Sequence, residues 1–209
     1  DVGPVSARAL LKEFGTASNI FKLRKGELLK VNGLGAIRAN AIKDFKDWNI
    51  VEKEIAFIEK QNIQCLAMDN EAYPNHLKHC VDAPIILYYK GSANLNSSKI
   101  ISIIGRRLCT DYGRRILDKF IEDLAPYNVL IVSGLAIGID VYAHRQALLN
   151  NMATVGVLAH GLDKIYPSQH SATAKEMLIN GGLLSEYISE TNPDRENFPT
   201  RNRLVAGIS

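Results

Sequence analysis

The 209-residue sequence has few of the features that mark secreted, metal-binding and membrane proteins. Its three cysteines, Cys65, Cys80 and Cys109, are scattered, with no CxxC pair and no metal-ligand spacing. This argues against a disulfide framework and suits a reducing compartment. No apolar run approaches the length that crosses a bilayer, and the start from Asp1 to Pro4 lacks the basic and apolar regions of a secretory signal. We therefore expect a cytoplasmic protein with no membrane partner.

The usual motifs of nucleotide enzymes and serine hydrolases are also missing. The first apolar strand ends in Gly105-Arg106-Arg107, where a dinucleotide enzyme has its G-x-G-x-x-G turn, and no P-loop with Gly-Lys-Ser/Thr occurs. Ser133 follows a strand, but no G-x-S-x-G elbow surrounds it. We expect no cofactor, no metal ion and no catalytic residue.

Arginine, by contrast, is concentrated in two places. Hydrophobic residues make up 46% of the chain and charged residues 22%, a composition that supports a folded core. The net charge is only +3. One arginine cluster lies after the first predicted strand and the other near the end of the chain, each beside a loop: Arg106, Arg107, Arg114 and Arg115, then Arg195, Arg201 and Arg203. The local clustering predicts an anionic partner better than the net charge does.

The first half of the chain predicts a small helical domain and a connector. Residues 1–45 read as an all-helical, helix-hairpin-helix or SAM-like domain. Within it, Gly33 and Gly35 permit a tight turn that would leave N–H groups at the next helix start free to hold a phosphate. The same spacing fits a plain helical hairpin that packs on the next domain. Residues 46–98 read as a connector, with an amphipathic helix at 48–61 and short strands at 62–68 and 84–91 that lead into a sheet.

Residues 99–209 predict a Rossmann-like α/β domain, in which a parallel sheet is covered by helices on both faces. The strands are apolar throughout and alternate with helices, as buried parallel strands do. The predicted strands are 100–105, 129–134, 154–159 and 182–186, and the predicted helices are 112–124, 139–150 and 168–180. Ligands of such sheets bind at the carboxyl ends of the strands.

The candidate ligand contacts fall at those strand ends. Ser133, Gly134 and Gly138 open a helix directly after a strand, where outward N–H groups and the helix dipole favour an anion. The candidate phosphate contacts after the first strand are Gly105, Arg106 and Arg107.

Four further residues are predicted to support the site. Asp140 and His144 stand on one helix face, as an acid–base or metal pair would. Because no third ligand accompanies them, we favour a carboxylate that bonds loop amides and a packed histidine. Tyr166 precedes a proline in a shaped turn and could wall a pocket, and Glu186 is expected to bond backbone at a strand end.

The segment from 194 to 203 is the strongest candidate for a nucleic-acid contact. Its members in the predicted site are Arg195, Phe198, Arg201, Asn202 and Arg203. Guanidinium groups bind phosphates in a forked geometry, and a base can stack on an aromatic ring between them, which suits a single strand. The alternative is that Phe198 belongs to the core and the arginines pair with nearby carboxylates.

Together these motifs closely resemble the DNA-processing protein A family (DprA, also called Smf). Order and spacing agree from about residue 84 to residue 209, and the helical front agrees more loosely. The matching stretches are Ile103-Ile104-Gly105-x-Arg107, Tyr112-Gly113, Ser133-Gly134-Leu135-Ala136-x-Gly138-Ile139-Asp140, Ala143-His144, Gly161-Leu162-Asp163-x-x-Tyr166-Pro167, Gly182-Leu183-Leu184-Ser185-Glu186 and Phe198-Pro199-x-Arg201-Asn202-Arg203.

The resemblance implies a bacterial protein of natural transformation that binds incoming single-stranded DNA, shields it and helps to load the recombinase RecA, without catalysis. Arg107 looks like the family's phosphate-binding arginine, and Arg106 stands where the family usually has Ser or Thr. Gly134 and Gly138 match its phosphate-cradling loop, and Arg195 and Phe198 match its backbone and base contacts. The end of the family motif is matched by Arg201, Asn202 and Arg203.

The resemblance also implies that the family sheet continues beyond Ser209 and carries surfaces for a homodimer and for the recombinase. We therefore expect a truncated form that lacks those surfaces. Two alternatives remain on the residues alone. One is an enzyme acting on a mononucleotide derivative, with Glu186 as its acidic residue, and the other is a non-catalytic mononucleotide sensor.

Overall fold

The structure is a computed structural model that describes residues 2–209, so Asp1 of the predicted non-signal start lies outside it. The helices are α1 Pro4–Phe14, α2 Ala17–Lys22, α3 Lys25–Leu28, α4 Gly35–Lys43, α5 Trp48–Gln61, α6 Asn75–Lys78, α7 Asp111–Leu124, α8 Ile139–Leu149, α9 Ser171–Met177 and α10 Asn197–Ile208. The strands are β1 Gln64–Ala67, β2 Ile86–Gly91, β3 Ile100–Ser102, β4 Leu130–Ser133, β5 Thr154–Leu158 and β6 Gly181–Ser185. Short 3₁₀ turns occupy Ala125–Tyr127 and Ser168–His170.

The helical front has its own apolar core. Its buried members come from α1 to α4 and from the turn before α4: Leu10, Ile20, Leu28, Val31, Leu34, Ala39 and Ile42. Gly33 and Gly35 have φ angles of 80° and 69°, which only glycine adopts without strain, so the α3–α4 hairpin depends on both. Arg8 fastens this front to the rest of the molecule by donating to the carbonyls of Cys80 (2.7 Å) and Val81 (3.3 Å).

One six-stranded sheet, in the order β1-β2-β6-β5-β4-β3, organises the remainder of the chain. Strands β3 to β6 are parallel, which confirms the predicted Rossmann-like arrangement. The predicted connector strands join this sheet as β1 and β2, which add two antiparallel strands at its β6 edge. In β2, the buried residues Leu87 and Tyr89 alternate with more exposed neighbours, as in an antiparallel strand with one solvated face.

Helices cover both faces of the sheet, as predicted. On one face, Ile131 of β4 packs with residues of α7 and α8, while α9 covers β5 and β6. On the other face, Leu130 and Val132 pack with Leu204 and Val205 of α10. The layer itself was predicted, but the sequence pattern predicts no helix over the α10 segment, so α10 is a correction. None of the helices between residues 2 and 209 is long and apolar enough to cross a bilayer.

Candidate functional site

Two loops meet at the carboxyl ends of β3 and β4. The backbone N–H of Ile139 donates to the Arg106 carbonyl (3.2 Å), and the backbone N–H of Gly105 donates to Asp140 Oδ1 (3.3 Å). Gly138 has a φ of 96°, and a Cβ there would collide with the carbonyls of Arg106 and Arg107. The arginine loop after β3 therefore rests directly on the first turn of α8, which confirms the interpretation of Asp140 as a carboxylate that bonds loop amides.

Ser133 and Gly134 lie beneath this surface. Ser133 is fully buried, and its Oγ donates to the Ile103 carbonyl (2.6 Å), so it fastens β4 to the end of β3. A Cβ on Gly134 would collide with the guanidinium of Arg201. The structure thus corrects the assignment of these two residues to the phosphate-contacting set, because neither reaches solvent. Gly138 and its neighbour Ile137 form the outward part of the loop.

Arg201 is buried below the same loop, with 3% of its surface exposed. Its guanidinium donates to the carbonyls of Gly134 (2.6 Å) and Val157, at the ends of β4 and β5, and its Nε donates to Asn202 Oδ1 (3.1 Å). Burial raises the pKa of Asp140, and the charge of Arg201 opposes that rise. Arg201 therefore holds strand ends and loop together, which corrects its assignment as a DNA contact.

Arg203 also has internal partners. Its guanidinium pairs with Glu186, lies 3.5 Å from Asp82 Oδ2 and donates to the Asp82 carbonyl (2.7 Å). Burial raises the pKa of Glu186, and Arg203 opposes that rise. The structure corrects the assignment of Arg203 to the DNA-contacting set and gives Glu186 a side-chain partner instead of the predicted backbone bond.

Four of the candidates, Arg107, Tyr166, Arg195 and Phe198, converge on one cleft, which we name the aromatic cleft. It has a volume of about 430 Å³ and is lined by Arg107, Ala136, Ile137, Tyr166, Pro167, Pro193, Arg195, Phe198 and Pro199. The rings of Tyr166 and Phe198 lie 6.0 Å apart, centre to centre, at an angle of 56°. The alternative that Phe198 belongs to the core is not what the structure shows, since its ring is only half-buried and lines this cleft.

The two arginines of the aromatic cleft are free to bind. Arg107 and Arg195 are exposed, and neither guanidinium has a hydrogen bond or an ion pair with any residue from 2 to 209. Arg106 is also exposed but lines a wall of neither this cleft nor its neighbours, and Asn202 is exposed beside Arg201. Two unpartnered guanidinium groups and two aromatic rings thus line one cleft, a combination that can hold a phosphate and stack a base.

His144 is fully buried and supports the fold. Its Nδ1 lies 2.7 Å from Thr154 Oγ1, which itself donates to the Ile131 carbonyl (3.1 Å). The hydroxyl proton is committed to that carbonyl, so Nδ1 carries the proton of the imidazole. Complete burial lowers the pKa of His144 to about 3, which keeps the ring neutral. The packed histidine is confirmed. No group of three His, Cys, Asp or Glu side chains in the described chain is placed to hold a metal.

Sequence reasoning missed part of the cleft wall. Ala136, Ile137, Pro193 and Pro199 line it, although only their position beside the glycine loop and the arginine segment could have drawn attention to them. Ile137 is 46% exposed at the tip of a loop, which is itself a signal for a contact surface.

Known proteins are similar in sequence to this chain. The profile of the family described as DNA recombination-mediator protein A matches residues 64–209. Protein Smf of Synechocystis is 35% identical over all of this chain and 53% of its own length, and the DNA processing protein DprA of Bacillus subtilis is 35% identical over 74% of this chain and 52% of its own length. The chain therefore spans about half the length of the curated relatives it matches.

Solved structures share the fold. DNA processing protein A from Streptococcus pneumoniae superposes with a TM-score of 0.83 and 29% identity, over 99% of this chain and 71% of that one. DNA processing protein A from Helicobacter pylori, described for its single-stranded DNA binding mode, superposes with a TM-score of 0.63 and 32% identity, over 70% of this chain and 66% of that one.

Proposed function

Because the chain belongs to the DNA recombination-mediator protein A family, we propose that it binds single-stranded DNA at the aromatic cleft. The observation that carries the proposal is that two exposed, unpartnered arginines, Arg107 and Arg195, line the same cleft as the Tyr166 and Phe198 rings. The relative from Helicobacter pylori, described for its binding of single-stranded DNA, supports the same ligand.

The chemistry of the cleft favours an unpaired strand over a duplex. A guanidinium holds a phosphate by two parallel hydrogen bonds, and this contact is available in either form of DNA. Stacking on Phe198 or Tyr166 requires a base whose face is free, which only a splayed single strand provides. The cleft of about 430 Å³ has room for such a base.

The proposed role is binding without catalysis. Glu186, the acidic residue that a mononucleotide enzyme would use, lines neither wall of the aromatic cleft and is paired with Arg203. Ser133 is buried and bonded to backbone, so it is not available as a nucleophile. Both observations support a DNA-binding protein over an enzyme that acts on a nucleotide derivative.

We extend the proposal to the cell biology that the family implies. The protein would act in the cytoplasm during natural transformation, shield incoming single-stranded DNA, help to load RecA onto it and associate with a second copy of itself. The family description as a recombination mediator supports this role. Its direct test is whether the chain accelerates RecA filament formation on single-stranded DNA already covered by a competing binding protein.

The test of DNA binding is a salt titration of oligo-dT affinity. Arg107→Ala should weaken binding about tenfold or more, as loss of a charged hydrogen bond does. It should also flatten the log–log salt slope by about 0.7, the value for one phosphate contact on a single strand. The matched control is Arg115→Ala, which removes an exposed arginine that lines no part of the cleft.

Three results would contradict the proposal. Equal affinity for duplex and single strand would remove the role of the aromatic rings. Equal losses in Arg107→Ala and Arg115→Ala would indicate a diffuse charge effect. Tight binding of a mononucleotide with no gain from a longer strand would identify the protein as a nucleotide sensor.

A further inference from the structure

We propose that a second cleft, next to the aromatic cleft, binds further phosphates of the same single strand. This inference rests on the proposed function. The second cleft, which we name the arginine cleft, has a volume of about 500 Å³ and shares Arg107 and Ile137 with the first. Its polar lining comes from α7, α8 and the 3₁₀ turn before α9: Arg114, Tyr142, Arg145, Gln169 and His170.

The charged side chains that line the arginine cleft are all positive. Arg107, Arg114 and Arg145 are exposed at the cleft, and no aspartate or glutamate is among the lining residues. Within residues 2–209 none of these three guanidinium groups is in an ion pair, in contrast to that of Arg203. Three unneutralised cations around a concave surface attract an anion more strongly than scattered surface arginines do.

The two added arginines are held in place by neutral contacts. The guanidinium carbon of Arg114 lies 5.8 Å from the centre of the Tyr142 ring, whose hydroxyl donates to Asp118 Oδ1 (2.8 Å). Arg145 donates from Nε to Thr173 Oγ1 (3.2 Å), which leaves its terminal nitrogens free. Both side chains are thus positioned before a ligand arrives, and a positioned guanidinium loses less freedom on binding phosphate.

The position of Arg107 joins the two clefts into one path. A strand whose base stacks in the aromatic cleft has its phosphate at Arg107, and the chain on one side of that phosphate then enters the arginine cleft. The ligand of the arginine cleft is therefore the phosphodiester backbone, and its affinity adds only when the strand is long enough to span both clefts.

Oligonucleotide length provides the test. In the full chain, each of the variants Arg114→Gln and Arg145→Gln should bind an oligo-dT of about twelve nucleotides roughly tenfold more weakly than the wild type does. The affinity for an oligo-dT of about three nucleotides should be unchanged. The salt slope for the longer strand should fall by about 0.7 in each variant. Arg115→Gln on the same helix as Arg114 is the control, and it should match the wild type at both lengths.

The outcomes separate the two proposals. Wild-type protein that gains affinity with length, together with variants that do not, supports the arginine cleft. If the wild type gains with length and the variants gain equally, the arginine cleft is overturned and the aromatic cleft stands. If the variants lose affinity for short and long strands alike, the arginine cleft is not a separate subsite. If the wild type binds no single strand, both proposals fail.

Cys109 allows a second measurement that leaves every arginine intact. Its side chain lines the arginine cleft, whereas Cys65 is exposed on β1 and lines neither cleft. A long oligo-dT whose terminal sulfur is joined by a disulfide to a small leaving thiol should exchange with Cys109 faster than with Cys65. Each exchange breaks that disulfide, joins the oligonucleotide sulfur to the cysteine and releases the small thiol, and Cys109→Ser should abolish the faster reaction. Equal rates at the two cysteines would overturn the inference.

Discussion

Arg195 and Arg201 lie six positions apart in the sequence but in opposite environments. Arg195 lies just before α10, in solvent, on the wall of the aromatic cleft. Arg201 lies within α10 and is 3% exposed, with its guanidinium against the ends of β4 and β5. The same contrast separates exposed Arg107 from Arg203, which is paired with Glu186.

The contrast teaches that partners, not residue type, decide what an arginine does. A buried guanidinium must have its donors satisfied, and the carbonyls of Gly134 and Val157 meet that need at strand ends. An exposed guanidinium without a partner keeps its donors for a ligand. Under the proposed function, the outer arginines govern affinity for DNA, while the inner arginines govern the stability of the surface that carries them.

The largest effect is expected for the variant Arg201→Ala, which tests this division between inner and outer arginines. It leaves two carbonyls and the buried Asp140 without their cation, so the free energy of unfolding should fall by about 3–5 kcal/mol, as it does when a buried charge loses its partner. Urea denaturation measures this change. Arg195→Ala should stay within about 0.5 kcal/mol of the wild type, as exposed substitutions do. If the two variants were equally stable, the division between inner and outer arginines would be wrong.

A smaller effect is expected at Arg203. Arg203→Ala removes the cation beside the half-buried Glu186, so the free energy of unfolding should fall by about 1–2 kcal/mol at neutral pH. The affinity for oligo-dT should not change. Adding Glu186→Gln should recover much of the loss, because the variant then buries no unpaired charge.

The pH dependence of Arg203→Ala follows from the same pair. Burial raises the pKa of Glu186 in the folded protein, and loss of Arg203 raises it further. The folded state then takes up a proton at a pH where the unfolded state is still ionised, so acid favours the folded variant relative to neutral pH. The stability deficit against the wild type should therefore shrink as the pH falls toward the ordinary glutamate range. A deficit that grows in acid would contradict the assignment.

Much of the fold follows from sequence periodicity alone. The helix predicted at 48–61 has those bounds in the structure, and the four parallel strands and the helices α7 and α8 differ from prediction by at most a few residues. Apolar runs of strand length are visible because both faces of these strands are buried. The pairing of β2 with β6 is not visible in this way, since it joins residues about a hundred positions apart.

The helix α10 was not predicted from the sequence because one residue, Arg201, interrupts its apolar pattern. Its inward side carries Leu204, Val205 and Ile208, and Arg201 occupies the place where a helical pattern calls for an apolar residue. The same buried arginine explains why the site was only partly predictable. Sequence identified Arg107, Tyr166, Arg195 and Phe198, which share one cleft, but a bond from Arg201 to strands far away in the sequence has no local signal.

The smallest effect is expected for the aromatic rings of the cleft, whose contribution to affinity is compared with that of its arginines. Phe198→Leu keeps an apolar side chain of similar volume but removes the flat ring, so the affinity for oligo-dT should fall by about 1 kcal/mol, near the low end for loss of one stacked base. Phe198→Tyr retains the ring and should match the wild type. Fluorescence anisotropy across a salt series measures both variants.

The salt dependence distinguishes stacking from charge. Phe198→Leu removes no phosphate contact, so its log–log salt slope should equal that of the wild type, whereas Arg195→Ala should flatten the slope by about 0.7. If Phe198→Leu also changed the slope, the ring would act by positioning Arg195 and not by stacking. A base held by stacking alone contributes affinity that salt does not screen. A changed slope would therefore mean that the ring and the arginines of the aromatic cleft act as a single electrostatic contact.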